Sequence, residues 1–516
     1  MISLENGIEW IAARLSSTGE SVAGTRKEIQ TIELIRELLE NHTDYIHLEN
    51  VEVLSWDEEL CAIYVDGTPY ECSVHPPYRG DVNIDFSAKD VVFIRSFDDI
   101  ERMCRSIEGK LVVVEGFGDP SYVTIYAYLL RRLDPRAIVF VDRYETRRRV
   151  VSEDDLLSRY KTLEPPAIPA IHVPNSVGRA LKRGHRVQMA LKTSLRPAHG
   201  FNVIAEINGR DCGMLYLTAH HDRWFNSITD DTLGVALLIE LARSGILKTI
   251  LRNSITLAFF TAEEGFSNPL TSFYWLVGSR KHVVENAHRL LDTISLVVNV
   301  DVIYRGRTMY ATSNMLARGL LLDLGVDPSD IEHDSMLFDS FAFTMSGIPS
   351  ITIHNYYDAI NDGLYHSTLD STMVIDHRGL SRAVNAVYRL LKGFSNLLSP
   401  AKLSAYIDLG EKMLAHELAQ RRLPLELSLL LYNVLAKLKS CSDTETVSRF
   451  GPTLHRILTT TWVSKLIYKG IEVYERTSYL YCSEDGVVLP LGIELGDACY
   501  SHVLHNLESL AYILRC

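Results

Sequence analysis

Three apolar stretches of this chain run directly into residues that bind metals. Leu215-Tyr216-Leu217-Thr218-Ala219 leads to His220-His221-Asp222, and Ile255-Thr256-Leu257-Ala258-Phe259-Phe260 is followed by Glu263-Glu264. Ile294-Ser295-Leu296-Val297-Val298 reaches Asp301 after Asn299-Val300. Each run has the length and near-continuous apolar character of a buried β-strand. In open α/β sheets, ligands gather beyond the carboxyl ends of the strands. Core packing gives no reason for acids and histidines at three successive strand ends. With Asp230 nearby, Asp230, Glu263, Glu264 and Asp301 would bring four negative charges into one cleft. Left alone they would repel, and several would take up protons. Two divalent cations supply the matching positive charge. Imidazole and carboxylate ligands without thiolate suit Zn2+, with Co2+ or Mn2+ as alternatives. Paired cations in such a cleft serve hydrolysis.

The surrounding pattern predicts the frame that would hold these residues. From about 201 to 395, short apolar strands alternate with helical periodicity, the rhythm of a parallel α/β sheet. Val235, Leu238, Ile239 and Ala242 recur at helical spacing, as do Leu380, Ala383, Val384, Val387 and Leu391. An amphipathic helix is expected over about 30–40. Between 50 and 200, short runs such as Val91–Ile94, Leu111–Val114 and Ala137–Val141, with prolines 165, 166, 169 and 174 following, predict a compact β-rich module with a helix or two. After about 400 the strands thin out, and the leucine-rich stretch Leu425–Leu438 and the pattern from His502 to Leu514 predict a mostly helical domain.

At these residues the sequence resembles the co-catalytic zinc aminopeptidase family, whose relatives include glutamate carboxypeptidase II, the transferrin receptor and the glutaminyl cyclases. The family's strand, His-x-Asp, short loop and helix-opening Asp are matched by His220-His221-Asp222 and Thr229-Asp230-Asp231. The ten-residue step from His220 to Asp230, with Trp224 between, is most like the glutamate carboxypeptidase branch. Ala262-Glu263-Glu264-Gly265, Gly278-Ser279, Asn299-Val300-Asp301, Gly347-Ile348-Pro349 and Tyr365-His366-Ser367-Thr368 match the remaining elements. The resemblance implies that His220 and Asp301 bind one ion, that Glu264 and His366 bind another, and that Asp230 bridges both. It implies Glu263 as the general base, and Asp222 behind His220 as the carboxylate that fixes its tautomer. Tyr365 becomes a hydrogen-bond donor to the developing oxyanion. It also implies a cis peptide after Asp230.

The resemblance extends to the flanks. A phosphorylase/hydrolase-like α/β peptidase domain with a mixed central sheet would comprise 1–50 and 201–398. A protease-associated-like domain would occupy 51–200, and a helical C-terminal domain, a possible site of homodimerisation, 399–516. The sequence departs from the family at Thr218 and Thr229, at Ser340 in place of a common His, and in the insertion Phe266–Val277, which is similar to one in glutaminyl cyclases. These changes leave the ligand set intact and bear on substrate preference. His221 on the strand end is expected to point away from the cluster, and His282, His333, His354 and His377 have no motif support.

Composition narrows the alternatives. The chain's 516 residues are too many for one core. A net charge of −13, with no long run of one sign, argues against nucleic acid as the main partner. No apolar run is long enough to span a membrane, and the first ten residues lack the basic start of a secretory signal. With eight scattered cysteines and no Cys-x-x-Cys pair, free thiols in a cytoplasmic protein are expected. The reading that results is an exopeptidase acting on peptides, with an aminopeptidase favoured. A carboxypeptidase of the glutamate carboxypeptidase type, a glutaminyl cyclase-like aminoacyl transferase and a receptor-like scaffold are the rivals.

Overall fold

The computed structural model describes residues 2–397 except 117–119, 121, 153–161, 272, 313–314 and 346–347. Beyond 397 it describes only Leu429, Asn433 and six two-residue strand pieces between Thr461 and Val488. Apart from these pieces, the expected helical C-terminal domain, including the rest of Leu425–Leu438, lies outside the described residues, as does Gly347.

The three apolar runs are strands of one mixed sheet. Asp211–His220 lies between Asn253–Phe260 and Ile294–Val300, parallel to both, and Ile294–Val300 is parallel to Ser350–His354. Parallel neighbours need a crossover. Helix Thr232–Arg243 carries the chain from the first strand toward the second, and Val277–Thr293 from the second to the third. Met309–Thr312 and Ile331–His333 complete one edge. The other edge is antiparallel, because Asn253–Phe260 pairs with Arg186–Ile207 and that strand with Tyr45–Val65.

Alternation along the central strands supplies two faces. Leu215, Leu217 and Ala219 face a core shared with Ile8, Ile11, Leu15, Ile32, Ile35 and the periodic face of the helix His377–Leu397. Tyr216, Ala258, Phe260 and Val297 pack on the opposite side with Val283, Leu290 and Phe343. Burying both faces leaves the strand ends as the place where polar side chains can collect.

Residues 51–200 do not form a merely β-rich module. Val91–Ile94, Leu111–Val114, Ala137–Val141 and Ala170–Val173 are parallel neighbours in a separate five-stranded sheet, with Ser73–Val74 antiparallel at one edge. Three helices, Phe97–Met103, Tyr122–Arg131 and Asn175–Leu181, accompany it, so its local architecture is α/β. Parallel strands cannot be joined by tight turns, which is why helices are needed here. The module leaves and rejoins the main sheet through Tyr45–Val65 and Arg186–Ile207, paired over twenty positions with one bulge between Glu58 and Leu60. Both strands run unbroken through positions 50/51 and 200/201.

Cys61 and Cys72, expected as free thiols, form a disulfide. The turn at Asp66-Gly67, both with positive φ, sets the register in which Ile63 faces Tyr70. Two residues further along each strand, that register brings Cys61 opposite Cys72 with their Cα atoms 5.8 Å apart, within disulfide reach. Cys104 is a free, exposed thiol. Among the described residues, no helix is long and apolar enough to cross a membrane.

Candidate metal centre

All five residues singled out as ligands come together. His220, Asp230 and Asp301 form one group of donors, and Asp230, Glu264 and His366 form a second. Within each group the donor atoms lie within 4.8 Å of one another. Asp230 belongs to both. His220 Nε2 lies 3.1 Å from Asp230 Oδ1 and 3.9 Å from Asp301 Oδ1. His366 Nε2 lies 2.6 Å from Glu264 Oε1 and 3.7 Å from Asp230 Oδ2. His220, Asp230, Asp301 and His366 are buried, and Glu264 is nearly so.

Each donor is placed by a local device. His220 closes its strand, and its Nδ1–H donates to the Asp222 carbonyl at 3.0 Å, turning Nε2 toward the acids. The Asp230–Asp231 peptide is cis, as the resemblance implied. Asp231 then caps the next helix by accepting from the Gly234 N–H. Buried Asp370 secures the preceding loop, accepting from the Thr229 N–H at 3.0 Å, from its hydroxyl at 2.8 Å and from the Ser227 hydroxyl. Three non-glycine residues adopt left-handed backbone at the site: Ala262 just before Glu263, Val302 just after Asp301, and His366 itself. For a β-branched residue such as Val302 that conformation is costly, and costs of this kind cluster where function fixes the geometry. Gly265 is required at the second turn, where a Cβ would lie 2.7 Å from the Ala262 Cβ.

Asp222 is placed behind His220, where its carboxylate helps hold the imidazole charged, and it makes two further contacts. Its carboxylate accepts from the Glu263 and Glu264 N–H groups, each at 3.1 Å, and is 3.6 Å from His220 Nδ1. The carboxylate thus pins the Glu263–Glu264 turn, while the Asp222 carbonyl makes the shorter contact to His220 Nδ1. Glu263 is buried beside the donors without belonging to either group. The Tyr365 ring stacks on the His366 ring with centroids 3.6 Å apart.

The electrostatics describe a cluster short of positive charge. Burial pushes Glu263 well above the usual carboxylate range; His220 pulls it back, and Glu264, Asp301 and Asp339 add to the rise. Burial likewise raises Asp301 strongly and Glu264 to a lesser degree, with Asp230 adding to both. Burial opposes the charge of Asp230 too, yet the hydrogen bond and charge of His220, backed by His366, hold it below its ordinary value. Burial also disfavours charged imidazoles, but the acids, Glu263 foremost for His220 and Glu264 for His366, push both upward. Burial, then the nearby Tyr356 and acids, keep the Tyr365 phenol protonated well past its usual range. Hard oxygen and imidazole donors in two groups, with surplus negative charge, fit a pair of divalent cations such as zinc.

Several neighbours escaped the sequence reading. Asp339, buried and lifted to about 7 by burial, lies within electrostatic reach of His220, Asp222 and His221. Asp370 and the Arg147–Arg149 segment are others; only the closeness of Asp370 to His366 in sequence offered a signal. His221 points away, toward buried Glu28 at 3.4 Å. His282, His354 and His377 pair with Glu49, Glu332 and Glu9, away from the donor groups. Arg305 and Arg307 pair with Asp362 and Asp330.

Residues 202–391 match the family model described as Peptidase family M28. Among solved structures, the chain is similar to a zinc aminopeptidase from Bacillus subtilis, at 17% identity and a TM-score of 0.57, covering 75% of this chain and 94% of that one. It is also similar to a peptidase M28 precursor from Shewanella amazonensis SB2B, at 16% identity and a TM-score of 0.60, covering 76% and 94%. A glutaminyl cyclase from Fimbriiglobus ruber matches at 12% identity and a TM-score of 0.39, covering 75% and 95%. At these identities the likeness to the two peptidases shows a shared fold. No curated protein sequence matches the chain.

Proposed function

We propose, from the match of residues 202–391 to the Peptidase family M28 model and the geometry of the donor groups, that this chain is a metal-dependent exopeptidase that removes N-terminal residues from peptides. The observation that carries the reading is the pair of donor groups sharing Asp230, with Glu263 beside them and committed to neither. His220 and Asp301 would hold one divalent ion, Glu264 and His366 the other, and Asp230 both; zinc fits the donor set best. Bound there, such ions supply Lewis acidity to the scissile carbonyl and to the attacking water.

The chain's own groups do the rest. Glu263, buried beside both donor groups and belonging to neither, takes a proton from that water and returns it to the departing amine. Tyr365 keeps its proton and donates a hydrogen bond to the carbonyl oxygen as negative charge builds there. Asp222 keeps the Glu263 and Glu264 main chain from drifting.

An acidic cleft favours a free α-ammonium over a terminal carboxylate. The arginines beside His366 are engaged elsewhere: Arg149 with Glu20 and Glu58, and Arg148 with Asp142 and the Tyr365 carbonyl. That supports amino- over carboxypeptidase action. The test is hydrolysis of aminoacyl-anilides and a peptide panel, with and without chelator, for the wild type and Glu263→Gln. Hydrolysis that depends on metal, with the variant binding metal yet nearly inert, supports the proposal. Full activity in the variant removes Glu263 from the mechanism, and ammonia release from N-terminal Gln peptides alone points to a cyclase.

A further inference from the structure

Three of the five donors, His220, Glu264 and Asp301, sit at or just beyond strand ends of the main sheet, and Asp230 directly precedes the N-cap of the helix Thr232–Arg243. His366 lies on an irregular loop after the helix Tyr356–Asn361, in left-handed backbone, and no strand of the sheet holds it. Asp370 ties the far end of this loop to Ser227 and Thr229, and the main-chain contacts along the loop come from the inserted module, more than two hundred residues earlier in the chain.

The module's segment Thr146–Arg149 runs antiparallel to Tyr365–Thr368, with Arg148 opposite Ser367. The Arg149 N–H donates to the His366 carbonyl at 3.0 Å, and the Thr368 N–H to the Arg147 carbonyl at 3.0 Å. His366 Nδ1–H donates to the Arg149 carbonyl at 2.9 Å. A carbonyl can only accept, so this contact fixes the tautomer and turns Nε2 toward Glu264 and Asp230. Thr368 Oγ1 lies 3.0 Å from Thr146 Oγ1 and accepts from the Arg147 N–H at 3.3 Å. Upstream, Arg143 and the Tyr144 hydroxyl both donate to the Asn361 carbonyl. The packing is close enough that a Cβ on Gly363 would lie 2.5 Å from the Tyr144 ring.

Arg148 is the rivet of this contact. Its side chain is only 3% exposed. One edge of the guanidinium meets Asp142 Oδ2 at 2.5 Å, and Nη1 donates to the Tyr365 carbonyl at 2.6 Å. Asp142 is itself held by His172 Nε2 at 2.9 Å and by the Tyr144 N–H at 2.8 Å. A buried guanidinium paired on one side and donating to a main-chain carbonyl on the other has a narrow choice of position.

We infer that the inserted module is a working part of the metal centre. Arg148, clamped by Asp142, is a positioning residue for His366, and docking of Thr146–Arg149 on Tyr365–Thr368 sets the affinity of the Asp230/Glu264/His366 group for its ion. His220 and Asp301 come from strand ends and touch the docked segment nowhere, so the His220/Asp230/Asp301 group, which shares only Asp230 with the second, depends on that docking far less. This inference rests on the two-ion reading proposed above.

The test is a titration of metal-free full-length protein with Co2+, followed by visible absorption and calorimetry, for wild type, Arg148→Met, Arg148→Lys and His366→Ala. The wild type binds in two steps, and His366→Ala identifies which step belongs to the second group by abolishing it. Arg148→Met weakens that step by about 10- to 100-fold, the usual effect of losing an outer partner of a ligand, and changes the other step by less than threefold. Arg148→Lys, which still donates to the Tyr365 carbonyl, recovers most of the loss. Arg148→Met with both steps unchanged, or with both weakened alike, overturns the inference. Should Arg148→Met fail to fold, Thr368→Val, which removes only the hydroxyl contacts, must show a smaller loss confined to the same step; unchanged affinity in that folded variant also overturns it. A wild type that binds one ion or none sinks the two-ion reading itself, which separates the two failures.

Discussion

Asp222→Asn separates two ways of building this site, and its effect can be worked from the geometry. The buried carboxylate accepts two main-chain N–H groups, each at 3.1 Å, from Glu263 and Glu264. Asparagine can accept with only one of its two end atoms. One bond survives as a neutral contact, and the other position places an NH2 group against a buried N–H. A lost charge-assisted bond costs about 1.5–3 kcal/mol and a stranded buried donor about 1–3 kcal/mol, with overlap between the two. The local opening free energy of the Glu263–Glu264 turn should therefore fall by about 2–4 kcal/mol, which speeds exchange about 30- to 1000-fold. Hydrogen–deuterium exchange of a peptide covering residues 261–266 reads this directly in metal-free protein. The imidazole of His220 should keep its tautomer, because the Asp222 carbonyl is its partner at 3.0 Å. Exchange within threefold of wild type, together with a changed His220 tautomer by nitrogen NMR, would refute the reasoning and restore the carboxylate to the role of orienting His220.

Burial raises the Glu49 pKa, but the hydrogen bond and charge of His282, with Asn202 and His47 behind, bring it down to about 2 from an ordinary 4.5. A folded-state value below the unfolded one gives stability that is full above about pH 4.5 and lost as pH falls toward 2. That is on the order of 3 kcal/mol, and Glu49→Gln should flatten this acid limb in pH-dependent unfolding. Gly278→Ala would set a Cβ 2.3 Å from the Thr261 carbonyl and 2.4 Å from Asn202 Oδ1. It should cost about 1–3 kcal/mol by thermal unfolding, and a variant as stable as wild type would show that this contact yields freely. Chelator should lower the melting temperature of the wild type, and restored zinc should raise it in proportion to occupancy; a melting point indifferent to both argues against a resident ion.

The parts of the molecule that could be read from sequence are those governed by local chemistry. Buried parallel strands must be apolar almost throughout, so Leu215–Ala219, Ile255–Phe260 and Ile294–Val298 stood out, and the polar residues at their ends stood out against them. Leu111–Val114 and Ala137–Val141 were legible for the same reason. Tyr45–Val65 and Arg186–Ile207 were not. Their side chains alternate between a core, solvent and the inserted module, and only the partner strand gives that mixture its pattern. The Cys61–Cys72 pairing was hidden in the register set by Asp66-Gly67. Asp339 and Arg148 illustrate the harder limit. Arg148 meets the Tyr365 carbonyl across 217 positions of sequence, a distance over which no periodicity or spacing carries information.

Two donor groups sharing Asp230 would hold two ions. Crystals grown with zinc, measured by anomalous scattering at the zinc edge, should show two peaks in each molecule, one among His220, Asp230 and Asp301 and one among Asp230, Glu264 and His366. A single peak, or zinc bound only away from these side chains at saturating metal, would contradict that reading.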